Sequence, residues 1–156
     1  MDVVTSMLLP QELCYERGEI LRLLSFLHQT PPKDFHDQFA LELALRAYRT
    51  SILLLKTPHR AGKLVGMGVL TTVEEITMRV GYVSDVVVDP EARGNHFGTL
   101  IMHKLMARAR ELKCTHMMLT SRESRTVANI LYRRLGFSEV QTNVYRIDLR
   151  TWNPSS

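Results

Sequence analysis

Val86-Val87-Val88-Asp89-Pro90-Glu91-Ala92-Arg93-Gly94-Asn95-His96-Phe97-Gly98-Thr99 is the stretch that decides the fold. An apolar run that reads as a buried strand is stopped by Asp-Pro and passes through a tight turn. It then enters a pattern apolar at Phe97, Leu100, Ile101, Leu105 and Leu112, which predicts an amphipathic helix. A strand feeding straight into a helix predicts a mixed α/β domain in which the next strand lies parallel to the first. The first N–H groups of a helix lack internal partners, and the helix dipole places partial positive charge there. Gly94 and Gly98 let a ligand approach the backbone closely and Arg93 adds a full charge, a combination suited to a pyrophosphate. An ordinary strand-to-helix turn that uses glycine only for its φ angles reads the same residues equally well.

Working outward, Arg79–Val88 is one long strand and Thr115–Thr120 the next, with Phe97–Leu112 as the helix between them. Upstream, Ser51–Leu55 and Lys63–Val73 read as strands about a turn at Thr57-Pro58-His59-Arg60-Ala61-Gly62. Val3–Leu9 is a short first strand ended by Pro10, and residues 11–28 carry Leu13, Ile20, Leu24 and Leu27 at helical spacing. After Thr30-Pro31-Pro32-Lys33, Asp34 can cap a second helix with Phe35, Phe39, Leu43 and Ala47 four apart. Downstream, Thr126–Leu135 is a helix stopped by Gly136, and Phe137–Leu149 supplies one or two final strands.

The chain has 156 residues, with Lys+Arg 20 against Asp+Glu 16 for a net charge of +4. That length suits a single domain with one core. The modest charge, without a long like-charge run, argues against a basic tail for nucleic acid. Composition excludes collagen-like, disordered and disulfide-scaffold classes. Cys14 and Cys114 stand in no metal spacing and read as two buried thiols of a reducing compartment. The longest apolar runs, such as Ile52–Leu55 and Val86–Val88, fall far short of the roughly 20 residues a membrane span needs. The opening MDVVTSMLLPQEL has no basic region and no small-residue cleavage site, so the expected location is cytoplasmic. The histidines form no metal-ligand pattern, and no metal is expected.

A second segment, Ala128-Asn129-Ile130-Leu131-Tyr132-Arg133-Arg134-Leu135-Gly136-Phe137, completes a pattern that resembles the GNAT N-acetyltransferase superfamily. Members carry Asp-Pro and then Arg/Gln-x-x-Gly-x-Gly/Ala opening a helix, matched here by Arg93 and Gly98. They also carry Ala-x-x-Leu-Tyr-x-x-Leu-Gly-Phe after the next strand. His96 stands where the family usually has its first glycine, and His tolerates φ > 0 better than β-branched residues do. The tail Thr142-Asn143-Val144-Tyr145-Arg146 is similar to small bacterial members. The resemblance covers residues 64–149. It implies a mixed α+β GNAT fold, a central twisted mixed sheet of about six or seven strands with about four helices. One domain, 1–156, would hold acceptor-side helices in 1–62 and an acetyl-CoA-binding core in 63–150. Acetyl-CoA would be held by Arg93, Gly94, Asn95, His96, Phe97, Gly98 and Thr99, with Asn129 and Tyr132 alongside. Many members place that asparagine where this chain has Arg125. Backbone N–H groups of Val86, Val87 and Val88, in a strand that bulges in the family, would stabilise the oxyanion.

Acetyl transfer from a thioester to an amine needs a bound cofactor, a deprotonated amine, a stabilised oxyanion and a protonated leaving thiolate. Arg122, Arg125, Arg133 and Arg134 against Glu123 make either a positive neighbourhood for phosphates or a solvated helix face. Tyr132, near the CoA sulfur by resemblance, is the expected acid, because a phenol titrating near pH 10 is protonated at neutral pH. Tyr82-Val83-Ser84-Asp85-Val86-Val87 is similar to the Gly-His/Tyr-Ile-Glu-Asp-Ile segment of amino-sugar-phosphate acetyltransferases, with Ser84 at the glutamate position. Asp85 is a candidate base, expected to be mostly buried with its pKa raised by desolvation. Glu74 and Glu75, acting through water, are the alternatives. His28 and His36 flank the loop that often lines the family's acceptor site and read as solvent-facing, and Met117 and Met118 read as core. Direct attack in a ternary complex is expected, since neither cysteine sits in a motif with a base. The acceptor is a small-molecule or peptide amine, with no nucleic-acid or membrane partner and with the final strands forming a homodimer interface. An acyl-CoA sensor without catalysis and a nucleic-acid binder are the readings from other classes.

Overall fold

Five strands lie side by side in chain order: β1 (Val4–Met7), β2 (Thr50–Lys56), β3 (Leu64–Glu74), β4 (Arg79–Val88) and β5 (His116–Leu119). The computed structural model describes residues 3–28, 38–47, 49–58 and 63–153. The first four strands are antiparallel neighbours, and β5 runs parallel to β4 after a helical crossover, as the Val86–Thr99 stretch requires. Helices α1 (Leu13–Ser25) and α2 (Gln38–Arg46) cover one face, with Leu13, Ile20, Leu23 and Leu45 packed on Ile52, Leu54, Met67 and Val87. Helices α3 (Phe97–Glu111) and α4 (Thr126–Arg134) cover the other, where Ile101, Met102 and Leu105 meet Leu53, Leu70 and Val83. The continuous apolar run of β2 is explained by cover on both sides, with Ser51–Leu55 buried without alternation. Each fully buried leucine there contributes roughly 1.5–3 kcal/mol relative to exposure.

α3 lies close to the sheet because β3 presents glycine beneath it. A Cβ on Gly68 would stand 2.6 Å from Ile101 Cγ2 and 2.9 Å from Leu105 Cδ1, closer than packed atoms allow.

Several expectations are corrected. Residues 137–149 form no strand, so among the described residues the sheet has five strands rather than six or seven. Strands need partners, and Val140, Val144, Tyr145, Ile147 and Leu149 all remain exposed at 62–88%. α2 turns a different stripe inward: Leu41 and Leu45 face the core while Leu43 is exposed, because two apolar rows compete in that helix and the sheet takes one. Met118 is also exposed, while Met117 packs on the core. The cysteines are free thiols, but Cys14 is exposed and Cys114 only half-buried. The Asp34 cap, Phe35, His36 and the turn 59–62 lie outside the described residues. Among the described residues, no helix is long and apolar enough to cross a membrane.

Candidate active site

The β3–β4 register breaks beside Gly68. Met67 pairs with Val87 and Val69 with Ser84, so Asp85 and Val86 together oppose one residue. The inserted residue is legible in the side chains. Val83 packs under α3 and Val87, four positions on, packs under α1, although an unbroken strand would place both on one face. Asp85 takes φ +50, a left-handed conformation that costs an L-residue about 1–2 kcal/mol. The family-type bulge expected at Asp85–Val88 is therefore present. On the other side of β4, pairing with β5 ends at Val83↔Leu119, where β5 itself stops while β4 runs on to Val88. Among the described residues no strand pairs with that edge of Ser84–Val88.

Asp85 is not buried as expected. Its carboxylate is 34% exposed, because the bulge turns it out of the core and toward the end of α1. Oδ1 lies 3.5 Å from His28 Nε2, and the Ser84 hydroxyl donates to Oδ2 at 3.3 Å. Glu74, on β3 opposite Arg79, is ion-paired with it, and Glu75 lies just past the same tip. At about 3.4 Å per residue Glu74 stands about 20 Å along the strand from Gly68 and the bulge, and Glu75 lies farther still, so the structure does not bring them to Asp85.

The loop from Val88 to α3 begins with a 3-10 turn at Pro90–Ala92, which Asp89 caps by accepting from the Glu91 N–H at 3.0 Å. Gly94 stands at φ +81, and His96 at φ +58 occupies the N-cap of α3, its side chain accepting no hydrogen bond from the first-turn N–H groups. His96 thus adopts the left-handed conformation that the usual glycine would take. A Cβ on Gly94 would meet open space, and one on Gly98 only Leu131 Cδ2 at 3.2 Å. An uncapped helix N-terminus behind an open glycine turn fits a pyrophosphate. The side chains divide differently. The Asn95 amide donates to the Ala92 and Arg93 carbonyls and shapes the loop, while Phe97 is core. Arg93 and His96 are exposed beside it, and Thr99 is half-buried on the first turn of α3.

Tyr132 packs against the α3 cluster together with Val86 and Val88, placing it on the same face as the bulge valines. Its ring meets Phe137 edge-on, with centroids 6.1 Å apart. Burial pushes the phenol above its ordinary pKa, opposed by the charge of Arg125. The Asn129 amide donates to the carbonyls of Arg122 (3.0 Å) and Glu123 (3.4 Å), closing the turn before α4. Of the basic cluster, Arg133 is paired with Glu139 at 2.8 Å.

One group of residues had no clear sequence signal. Arg22 on α1 donates to Asp89 Oδ2 at 2.8 Å, to the Leu64 carbonyl at 2.6 Å and to Glu19. Lys63 lies 3.3 Å from the same Asp89 carboxylate, which is 4% exposed. These cations hold Asp89 well below the usual carboxylate pKa against its burial, and Arg22 does the same for Glu19. The network ties α1 to the start of β3 and to the base of the α3 loop. Its one hint in the sequence was Asp89 ahead of Pro90. Among the described residues, no cluster of His, Cys, Asp and Glu could hold a metal ion.

The profile of the acetyltransferase (GNAT) family matches residues 19–137. The chain is 30% identical over 144 residues to glucosamine 6-phosphate N-acetyltransferase 1 of Oryza sativa subsp. japonica, covering 87% of this chain and 84% of that protein. Among solved structures, an acetyltransferase of Trypanosoma brucei is similar with TM-score 0.74 and 26% identity, covering 95% of this chain and 100% of that one. The glucosamine-6-phosphate N-acetyltransferase of Arabidopsis thaliana shares the fold with TM-score 0.75 at 20% identity, over 94% of this chain and 99% of that one.

Proposed function

The chain belongs to the GNAT acetyltransferase family, and from that premise we propose that it transfers an acetyl group from acetyl-CoA to a primary amine by direct attack in a ternary complex. The observation that carries the reading is the bulge in the part of β4 that runs on past the end of β5, followed directly by the open glycine turn and uncapped N-terminus of α3. Acetyl-CoA supplies the activated thioester. The amides of Gly94–Thr99 and the charge of Arg93 would hold its phosphates, with Asn129 supporting the neighbouring turn. Backbone N–H groups of Val86–Val88 would face the oxyanion, and donors already fixed in a strand need no reorganisation as charge develops. Tyr132 stays protonated at neutral pH and donates to the leaving sulfur. Asp85 stands at the bulge as the carboxyl group of the acceptor side.

For the acceptor, the rice relative's name favours an amino-sugar phosphate over a peptide amine. Cytoplasmic location is part of the same proposal. So is a homodimer, supported by the exposed apolar residues between Val140 and Leu149. The test is an acceptor screen with acetyl-CoA that follows free thiol release, glucosamine 6-phosphate first and peptide amines second. Release that requires an amine supports acetyl transfer, and acetyl-CoA binding without amine-dependent release would instead mark a sensor.

A further inference from the structure

We propose that His28 removes the proton from the acceptor amine and that Asp85 is the positioning residue that orients it, an inference that rests on the acetyl-transfer reading above. The pair joins two elements that the fold brings together only at the bulge. Asp85 is the extra residue of β4, held at φ +50, and its two carboxylate oxygens face His28 and Ser84. His28 follows the last turn of α1, with its backbone N–H bonded to the Leu24 carbonyl at 3.1 Å and the adjacent Leu27 packed on the core. The imidazole is therefore mounted on a fixed helix end. The two side chains are 44% and 34% exposed, so an acceptor entering from solvent reaches them.

The geometry also assigns the atoms. Nε2 is the ring nitrogen turned to the carboxylate, so in the tautomer that carries its N–H there the lone pair is on Nδ1. The separation of 3.5 Å is ion-pair range rather than a hydrogen bond, and such contacts commonly tighten when substrate binds. The charged surroundings are simple. Glu19 and Arg22 of α1 are tied to each other, and Arg22 also to Asp89, while β3 from Leu64 to Val73 carries no titratable side chain. Asp85 is thus the charged group at the imidazole among the described residues.

In the step itself, Nδ1 takes one proton from the acceptor ammonium, which frees the nitrogen lone pair for the thioester carbon. Asp85 holds the imidazolium that forms through the contact of Oδ1 with Nε2. As the C–N bond forms, the C–S bond breaks with its electron pair on sulfur, which Tyr132 protonates. The second amine proton leaves to solvent, and solvent restores Tyr132 and discharges His28.

The test compares wild type, His28→Gln, His28→Ala and Asp85→Asn with acetyl-CoA and an amine that wild type acetylates, across pH. His28→Gln should keep acetyl-CoA affinity by calorimetry, lose about 10²–10³ in kcat, and lose the low-pH fall of kcat/KM that protonation of a base imposes. Imidazole added to His28→Ala should restore part of the rate. Asp85→Asn should lower kcat while leaving KM for the amine and acetyl-CoA affinity within a few fold, because the imidazole is no longer oriented. A folded His28→Gln with the wild-type rate and pH profile overturns the assignment while leaving acetyl transfer intact. A wild type that acetylates no amine removes the reading beneath it.

Discussion

Tyr132→Phe deletes one oxygen and keeps the ring, which makes it the cleanest probe of how the departing thiolate is protonated. The ring's edge-on contact with Phe137 and its packing under α3 survive the change. The hydroxyl makes no hydrogen bond among the described residues, so unfolding free energy should stay within about 0.5 kcal/mol of wild type. Catalysis should respond very differently. A positioned acid contributes about 10²–10⁴ in rate, and at about 1.4 kcal/mol per tenfold that is roughly 3–5 kcal/mol of barrier. Burial raises the phenol above its ordinary pKa near 10, so the group remains protonated throughout the neutral range. Loss of this acid in wild type belongs only to strongly alkaline solution. The assay is thiol release at saturating acetyl-CoA with an accepted amine, beside calorimetry of acetyl-CoA binding. Affinity should hold within a few fold, because the phosphates are gripped at the α3 loop. A Tyr132→Phe enzyme that turns over at the wild-type rate would show that water or another residue protonates the sulfur.

Asp89→Asn should destabilise the fold by about 3 kcal/mol in urea titration, since it removes the buried anion that Arg22 and Lys63 hold. The folded pKa of Asp89 is lowered, so its contribution is present above the unfolded value near 3.9 and is lost as pH falls through the folded one. The variant should lack that acid-side loss. Gly98→Val should weaken acetyl-CoA binding at least tenfold by calorimetry with the circular dichroism spectrum kept, and unchanged affinity would sink the loop assignment. Sedimentation at high concentration should show a dimer, and a clean monomer would reject the proposed interface beyond Val140.

The order of strands and helices was legible because its signals are local. Asp-Pro ends β4, the 97–112 pattern has one helical solution, and Gly136 stops α4. What failed to read depends on partners far away in the chain. The tail after Gly136 has strand-like residues but finds no edge to join. α2 carries two apolar rows, and only the sheet decides between Leu41–Leu45 and Leu43–Ala47. The same limit applies to the site. Arg93, His96, Gly98 and Tyr132 stand in motifs, whereas His28 reads in the sequence as a solvent-facing loop residue, since nothing near it announces Asp85.

The bulge explains why a short strand segment can serve two sides of one reaction. Along a regular strand, alternate side chains share a face and alternate N–H groups share an edge. Ser84–Val88 of an unbroken β4 would then keep pairing with its neighbours, and Asp85 would lie beneath α3 with Val83. Inserting one residue opposite Gly68 changes both properties at once. It restores Val86 and Val88 to the α3 face beside Tyr132, and it directs Asp85 toward α1 and His28. Gly68 is bound into the same arrangement, because it lets α3 sit close over the bulged strand, and a Cβ there would meet Ile101 at 2.6 Å. The conformational cost at Asp85 is thus offset by core packing on both faces. That is the condition under which a strained residue persists where chemistry can use it.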